Sequence, residues 1–197
     1  MTTKRILILN GHPAETSLSK SLAEAYSAAA KAAGHDVRTT HLHDMEFDAD
    51  FGGAGYVQIK PLEPVLKTFQ EDVTWAEHIV LVTPMWWGGL PAKLKGLFDR
   101  AFLPGWAFDP RNRAKSGLPA PMLGGRTGRT IMTSDTPGFF FWLLYRNALI
   151  RQIKSQIFHF VGIKPMKVTH FAGASKADSA TATKWIETAA SLGRQGA

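Results

Sequence analysis

The chain contains no cysteine among its 197 residues. Disulfides, thiolate metal sites and a cysteine nucleophile are therefore excluded. Long apolar runs are also missing: none approaches the roughly 20 residues that a membrane-spanning helix needs, and no stable membrane insertion is expected. The short apolar stretch after Met1-Thr2-Thr3-Lys4-Arg5 is too brief for a signal-peptide core, which makes a cytoplasmic location the expectation. Basic clusters are absent as well. The formal charge is +7 with a pI near 9.8, yet Lys and Arg never run beyond two in a row. The charge reads as spread over the surface. Lys154, Lys164 and Lys167 lie near aromatics, but no nucleic-acid motif accompanies them, so no nucleic-acid partner is expected. Several catalytic signatures are missing too. There is no H-E-x-x-H, and the seven histidines, including the close pair His41 and His43 beside Asp44, fit no metal spacing, so no metal is expected. There is no G-x-S-x-G nucleophile elbow and no Walker loop.

What is present is an alternation of two periods. Arg5–Asn10 (Arg-Ile-Leu-Ile-Leu-Asn), His78–Thr83 (His-Ile-Val-Leu-Val-Thr), Arg129–Thr133 and Met166–Phe171 are short apolar runs that read as buried strands, and Val37–Leu42 alternates weakly as another. Between them come helical stripes. Leu18, Leu22, Tyr26, Ala29 and Ala33 follow a possible cap at Ser17 and stop at Gly34. Val65, Leu66, Phe69 and Val73 mark a helix over 62–75. Leu90, Leu94, Leu97, Phe98 and Ala101 mark another over 90–102, with Pro91 in its first turn. Phe139–Phe160 reads as a long helix or a broken pair ended by Gly162, and Ser175–Leu192 as the last helix. The segments 43–60, with Gly52, Gly53 and Gly55, and 103–127 show no period and read as loops. The order β-α-β-α-β-α-β-α-β-α predicts an α/β fold: one flavodoxin-like domain over 1–197, with a doubly wound, five-stranded parallel sheet of order 2-1-3-4-5.

Three loops leave the carboxyl ends of strands, where ligands sit in such sheets. The first, Gly11-His12-Pro13 to Ser19, offers successive backbone N–H groups, the hydroxyls of Thr16, Ser17 and Ser19, His12, and a helix N-terminus: an anion site, with an ordinary capped helix start as the alternative. It is not G-x-G-x-x-G. The second, Thr83-Pro84-Met85-Trp86-Trp87-Gly88-Gly89-Leu90-Pro91, carries two adjacent indoles that cannot both be buried on a tight turn. At least one should face a crevice suited to a flat heteroaromatic ring, the alternative being packing against the long loop. The third, Thr133-Ser134-Asp135-Thr136-Pro137-Gly138, runs into Phe139-Phe140-Phe141-Trp142. Four consecutive aromatics cannot all enter one core, so a substrate pocket or a subunit interface should hide the surplus.

These residues resemble a known family, the DT-diaphorase-like NAD(P)H:quinone oxidoreductases. The resemblance rests on Gly11-His12-Pro13 with Thr16-Ser17-Leu18-Ser19, on Trp75-Ala76-Glu77-His78, and above all on Pro84-Met85-Trp86-Trp87-Gly88-Gly89-Leu90-Pro91-Ala92-Lys93-Leu94-Lys95-Gly96. It continues through Asp99-Arg100-Ala101-Phe102 and Phe158-His159-Phe160-Val161-Gly162, and spans nearly the whole chain in order. It implies a flavodoxin-like fold, a bound flavin (FAD or FMN), NAD(P)H as co-substrate, and a homodimer with sites at the subunit interface. The implied reaction is ping-pong, two-electron reduction of quinones or similar flat acceptors such as azo or nitroaromatic compounds. Carried over by residue, His12, Thr16, Ser17, Leu18 and Ser19 match the flavin phosphate loop. Pro84, Met85, Trp86, Trp87 and Gly88 match the turn that holds the flavin ring. Thr133 and Ser134 match the start of the third flavin loop, where the family's common Thr-Thr-Gly-Gly is replaced by Thr133-Ser134-Asp135-Thr136. Tyr145, and after it Asp135, are the nearest candidates for the residues that assist hydride transfer in some members. Arg126 and Arg129 are candidates for a 2′-phosphate contact. Two other readings are a regulatory flavin-binding subunit of a membrane ion-efflux system, and a flavodoxin-type electron carrier.

Overall fold

The computed structural model describes residues 2–53, 59–113 and 117–197; Gly55, placed by the sequence in a loop, lies outside them. Strands β1 (Arg5–Asn10), β2 (Asp36–His41), β3 (His78–Pro84), β6 (Thr127–Ser134) and β7 (Met166–Ala172) form one parallel sheet in the order β2-β1-β3-β6-β7. This is the expected 2-1-3-4-5 winding. Side chains alternate across a strand, and the sheet divides them between two cores. Leu7, Leu9, Ile79, Leu81 and Met132 join Leu66 and Phe69 of α2 (Pro64–Trp75) and Leu94, Leu97 and Phe98 of α3 (Ala92–Ala101). Ile6, Ile8, Val80, Val82 and Ile131 join Leu22, Tyr26 and Ala30 of α1 (Leu18–Ala32) and Ala189 of α7 (Ser179–Gln195). Because helices cover both faces, the central strands need apolar residues at every position.

Several boundaries move for identifiable reasons. Pro91 is the N-cap of α3, so Leu90 lies before the helix. The last helix starts at Ser179 because the Asp178 carboxylate accepts the Thr181 amide, and Ser175 lies in a separate 3-10 turn. Ala33, expected in the apolar stripe of α1, is exposed, and Ala30 takes the buried position. Segment 139–160 is broken. Helix α4 (Gly138–Leu143) stops before Arg146 and Asn147, which adopt left-handed backbone with φ of 47° and 52°. The chain then runs through α5 (Ala148–Arg151) and a π-helical stretch (Gln152–Phe158) into α6 (His159–Val161). Segment 103–127 is not structureless: β4 (Phe108–Arg113) pairs antiparallel with β5 (Pro119–Pro121). Only Phe108 of β4 is buried, so no alternation marks the hairpin in the sequence.

Parallel pairing brings the carboxyl ends of β1, β3 and β6 to one rim. Asn10 lies opposite Val82, and Pro84 opposite Thr133.

Candidate functional site

The rim begins at Gly11, whose amide donates to the Val82 carbonyl at 2.7 Å. A Cβ at this position would press on Leu94 Cδ2 at 2.6 Å, so any larger residue would push that side chain of α3 aside. Asn10, fully buried, accepts the His12 amide on Oδ1 at 3.3 Å, and its Nδ2 lies 3.3 Å from His41 Nδ1. His12 Nδ1 in turn accepts the Ala14 amide at 3.0 Å. Burial holds the pKa of His12 below its ordinary value, and neighbouring His43 adds to the effect, so the ring is neutral at pH 7. Farther along, the Ser17 hydroxyl caps α1 by accepting the Lys20 amide at 3.1 Å. The amides of Leu18 and Ser19, in the first turn, have no carbonyl partner within the helix. Thr16 is exposed beside them, and Ser19 is buried. The donor set therefore fits a phosphate: helix-terminal amides, hydroxyls and a neutral imidazole, with no carboxylate among the matched residues.

The second loop is a two-residue turn. Trp86 and Gly89 exchange both backbone hydrogen bonds, at 3.0 and 2.9 Å. Trp87 and Gly88 at its apex have φ of 52° and 73°, as a type I′ turn demands. Glycine adopts this backbone freely; tryptophan does not. The Trp87 side chain is fully exposed among the described residues, and Trp86 is 44% exposed. Two large indoles are thus held open to solvent, that of Trp87 on strained backbone. The Trp86 ring meets the edge of the His12 ring at 5.4 Å between centroids, which joins the first loop to the second.

The third loop is tied to the second by the Met85 amide, which donates to the Thr133 carbonyl at 2.8 Å. Thr133 and Ser134 are buried. The Ser134 hydroxyl donates to the Thr136 carbonyl at 3.2 Å and lies 2.8 Å from His170 Nε2. Asp135 accepts the Ser175 amide at 2.6 Å, a bond that holds its carboxyl below the usual range. Asp135 is therefore an ionised acceptor and cannot serve as a proton donor at neutral pH. A cleft of about 700 Å³ is lined by Met85, Trp86, Trp87, Gly88, Asp135 and Thr136. Beside it, about 400 Å³ opens between Asp135, Phe140 and Tyr145.

The rim thus gathers His12, Ser17, Leu18, Ser19, Pro84, Met85, Trp86, Trp87, Gly88, Thr133 and Ser134 on three adjoining loops, with Thr16 on the outer side of the first and Tyr145 one cleft away. Arg126 and Arg129 belong to the opposite end. Arg126 donates to the Val73 and Thr74 carbonyls at the end of α2, and Arg129 to Thr169 Oγ1 at 2.7 Å; neither reaches the rim. Sequence reasoning missed Asn10, His41 and His170 as supports. A polar residue closing an otherwise apolar strand was the available signal for Asn10.

A family model described as the flavodoxin-like fold matches residues 4–191. An FMN-dependent NADH:quinone oxidoreductase of Ruegeria pomeroyi is 32% identical over 148 residues, which is 67% of this chain and 70% of that protein. NAD(P)H dehydrogenase (quinone) 1 of Cavia porcellus is 30% identical over 125 residues, 53% of this chain. The match spans 45% of that longer protein. Among solved structures, Smu.1420 of Streptococcus mutans UA159 superposes with a TM-score of 0.82 at 25% identity, covering 97% of this chain and 99% of that one. A quinone oxidoreductase of Methanothermobacter marburgensis has the same fold, with a TM-score of 0.83 over the full length of both chains at 22% identity. With the sheet order, the three-loop rim and a match from residue 4 to 191, the chain belongs to the flavodoxin-like fold family and resembles its NAD(P)H:quinone oxidoreductases.

Proposed function

We propose that this protein is a cytoplasmic, single-domain NAD(P)H-dependent flavoprotein that reduces quinones or similar flat acceptors, azo or nitroaromatic compounds included. The observation that carries this reading is the meeting of the first two loops at the His12–Trp86 ring contact, beside the third loop. The first loop offers an anion cradle, the second offers exposed aromatic faces, and the third closes the cleft.

FMN is the flavin proposed, supported by the FMN dependence named for the Ruegeria relative. The amides of Leu18 and Ser19, with the hydroxyls of Thr16 and Ser17, would hold its phosphate. Pro84 to Gly88 would hold its ring, and Thr133 and Ser134 would support the ring's polar edge. The flavin supplies two-electron transfer between nicotinamide and acceptor. In net terms, NAD(P)H and one proton convert a quinone to its hydroquinone and leave NAD(P)⁺. The chain's own part is orientation, exclusion of water and fixed amide dipoles. Tyr145, at the edge of the cleft, is the side chain proposed to hydrogen-bond the acceptor's oxygen. Asp135 acts as a positioning residue that keeps the third loop in place through Ser175.

The exposed aromatic face of α4, with Phe139, Phe140, Trp142 and Leu143, supports a homodimer in which a second copy covers this face beside the site. That face also supports the rival reading, a regulatory subunit docked on a membrane ion-efflux protein.

The test is to purify the protein, identify the released cofactor by mass spectrometry, and follow NADH and NADPH oxidation with menadione. FMN release and rapid menadione-dependent oxidation are expected. A colourless protein that takes up neither FMN nor FAD overturns the proposal, and negligible turnover of a flavin-loaded protein favours the regulatory subunit.

A further inference from the structure

Among the described residues, left-handed backbone is occupied by glycine everywhere except at Trp87, Arg146 and Asn147. Left-handed backbone strains a residue with a Cβ, Trp and Arg more than Asn, and strain of this kind gathers at functional sites. Trp87 is the apex of the second loop. Arg146 and Asn147 form the bend after α4, and that bend borders the same site. A cleft of about 530 Å³ runs from Gly88 of the Trp turn, past Tyr145 and Arg146, to Arg151, Gln152 and Gln156. Two arginines, two glutamines and a tyrosine are among the residues lining it, and none of its described lining residues is an Asp or Glu.

Six of the chain's eight other arginines are already committed, Arg111 and Arg194 being the exceptions among the described residues, and neither of these two lines the cleft. Arg5, Arg38, Arg100, Arg113, Arg126 and Arg129 are each tied to a carboxylate, carbonyl or hydroxyl. Arg146 and Arg151 have no such partner among the described residues. Two uncommitted planar forks in one cleft, flanked by neutral donors, match the two-oxygen geometry of an oxyanion.

Resting on the reading of the rim as a flavin and acceptor site, we propose that this cleft is an oxyanion subsite. It takes a sulfonate, carboxylate or phosphate group carried by the molecule whose ring occupies the Trp turn. Gly88 belongs to both the turn and the cleft, so one ligand can place its ring on the indoles and its charged group between Arg146 and Arg151. Two sources share this chemistry: an acidic substituent on the acceptor, or a phosphate of the nicotinamide dinucleotide.

The experiment compares FMN-loaded wild type with R146Q/R151Q and with Arg146→Gly. Glycine suits the left-handed backbone, so the second variant keeps the bend and its fold. Dissociation constants for anthraquinone-2-sulfonate and for neutral 2-(hydroxymethyl)anthraquinone are measured by calorimetry on the oxidised protein. KM values for NADH and NADPH are measured with menadione. If the acceptor supplies the anion, the preference for the sulfonate over the neutral probe falls at least tenfold in the double variant, and several-fold in Arg146→Gly. If the dinucleotide supplies it, the preference stays and the KM for NADH or NADPH rises at least tenfold. Either result supports the subsite. A double variant whose probe preference and both KM values stay within twofold of wild type overturns it. A wild type that turns over menadione well while binding both probes equally, with both KM values indifferent to the substitutions, sinks the subsite alone. A wild type that binds no FMN and oxidises neither nucleotide sinks the flavin reading with it.

Discussion

Trp87 shows most plainly how this chain sets local stability against exposure of a ring. Its indole touches little and its backbone is left-handed. Trp87→Asn would install Asn-Gly, the pair that a type I′ turn prefers. The variant is expected to be more stable by about 0.5–1 kcal/mol, read as a shift in urea midpoint, and to bind FMN or menadione about tenfold more weakly. Equal or lower stability would show that the indole packs on something in solution. His78 is the opposite case, a buried group whose charge is suppressed. Burial first, then the charges of Lys4, Arg129 and Lys167, push its pKa from 6.5 down to about 3, while Nδ1 lies 2.7 Å from Thr127 Oγ1. Between those values the unfolded chain binds a proton that the folded chain refuses. Stability should therefore fall as pH drops below 6.5, by up to ~1.4 kcal/mol per pH unit. His78→Asn, which retains a hydrogen-bonding group near Nδ1, should flatten the acid limb of a stability–pH profile; an unchanged limb would assign it to other groups. Residues such as Trp86 and Ser17 were legible because their loops carry their own chemistry. Asn10, His41 and His170 were not, because their partners lie 31 to 36 positions away.

At the scale of elements, strands and helices buried on one stripe or on two faces were readable from their period. The failures lie where an element is held by something other than its own pattern. The β4–β5 hairpin has one buried residue in its longer strand. The 139–160 segment breaks at two left-handed residues that no propensity demands. The segment before α2 was read as an irregular loop, yet its described part is fixed from outside by Arg100. This buried guanidinium donates to the Pro61 carbonyl at 2.9 Å and to Glu63 Oε2 at 2.8 Å, and it also reaches the Asp48 carbonyl. Desolvation pushes the Glu63 carboxyl upward, but hydrogen bonds from backbone amides and Arg100 outweigh it and leave the pKa lowered. Arg100→Ala leaves those acceptors facing a void. It is expected to cost about 3 kcal/mol, at the lower end for a broken buried pair because Glu63 keeps some contact with water. Chemical denaturation checks the figure, and a loss under 1 kcal/mol would mean that the loop holds itself.

Over the whole molecule, one sheet with two cores brings three strand ends to a common rim, and the site is a consequence of that winding. The sheet order was legible because period and element order leave few alternatives. The oxyanion cleft was not, since it forms only when the bend at Arg146 meets the turn at Gly88. The same scale holds the aromatic face of α4. Trp142→Glu, on an exposed side chain, should leave the fold intact and shift a dimer toward monomer by light scattering; an unchanged mass would move the contact elsewhere. The central claim, that the rim holds a flavin, is tested most directly by titrating the flavin-free protein with FMN and following the six indole N–H resonances. Binding at the rim predicts saturable one-to-one shifts of Trp86 and Trp87, with Trp185 of α7, stacked on Phe171 of β7, unmoved. Shifts confined to the other indoles, or no saturation at all, would contradict it.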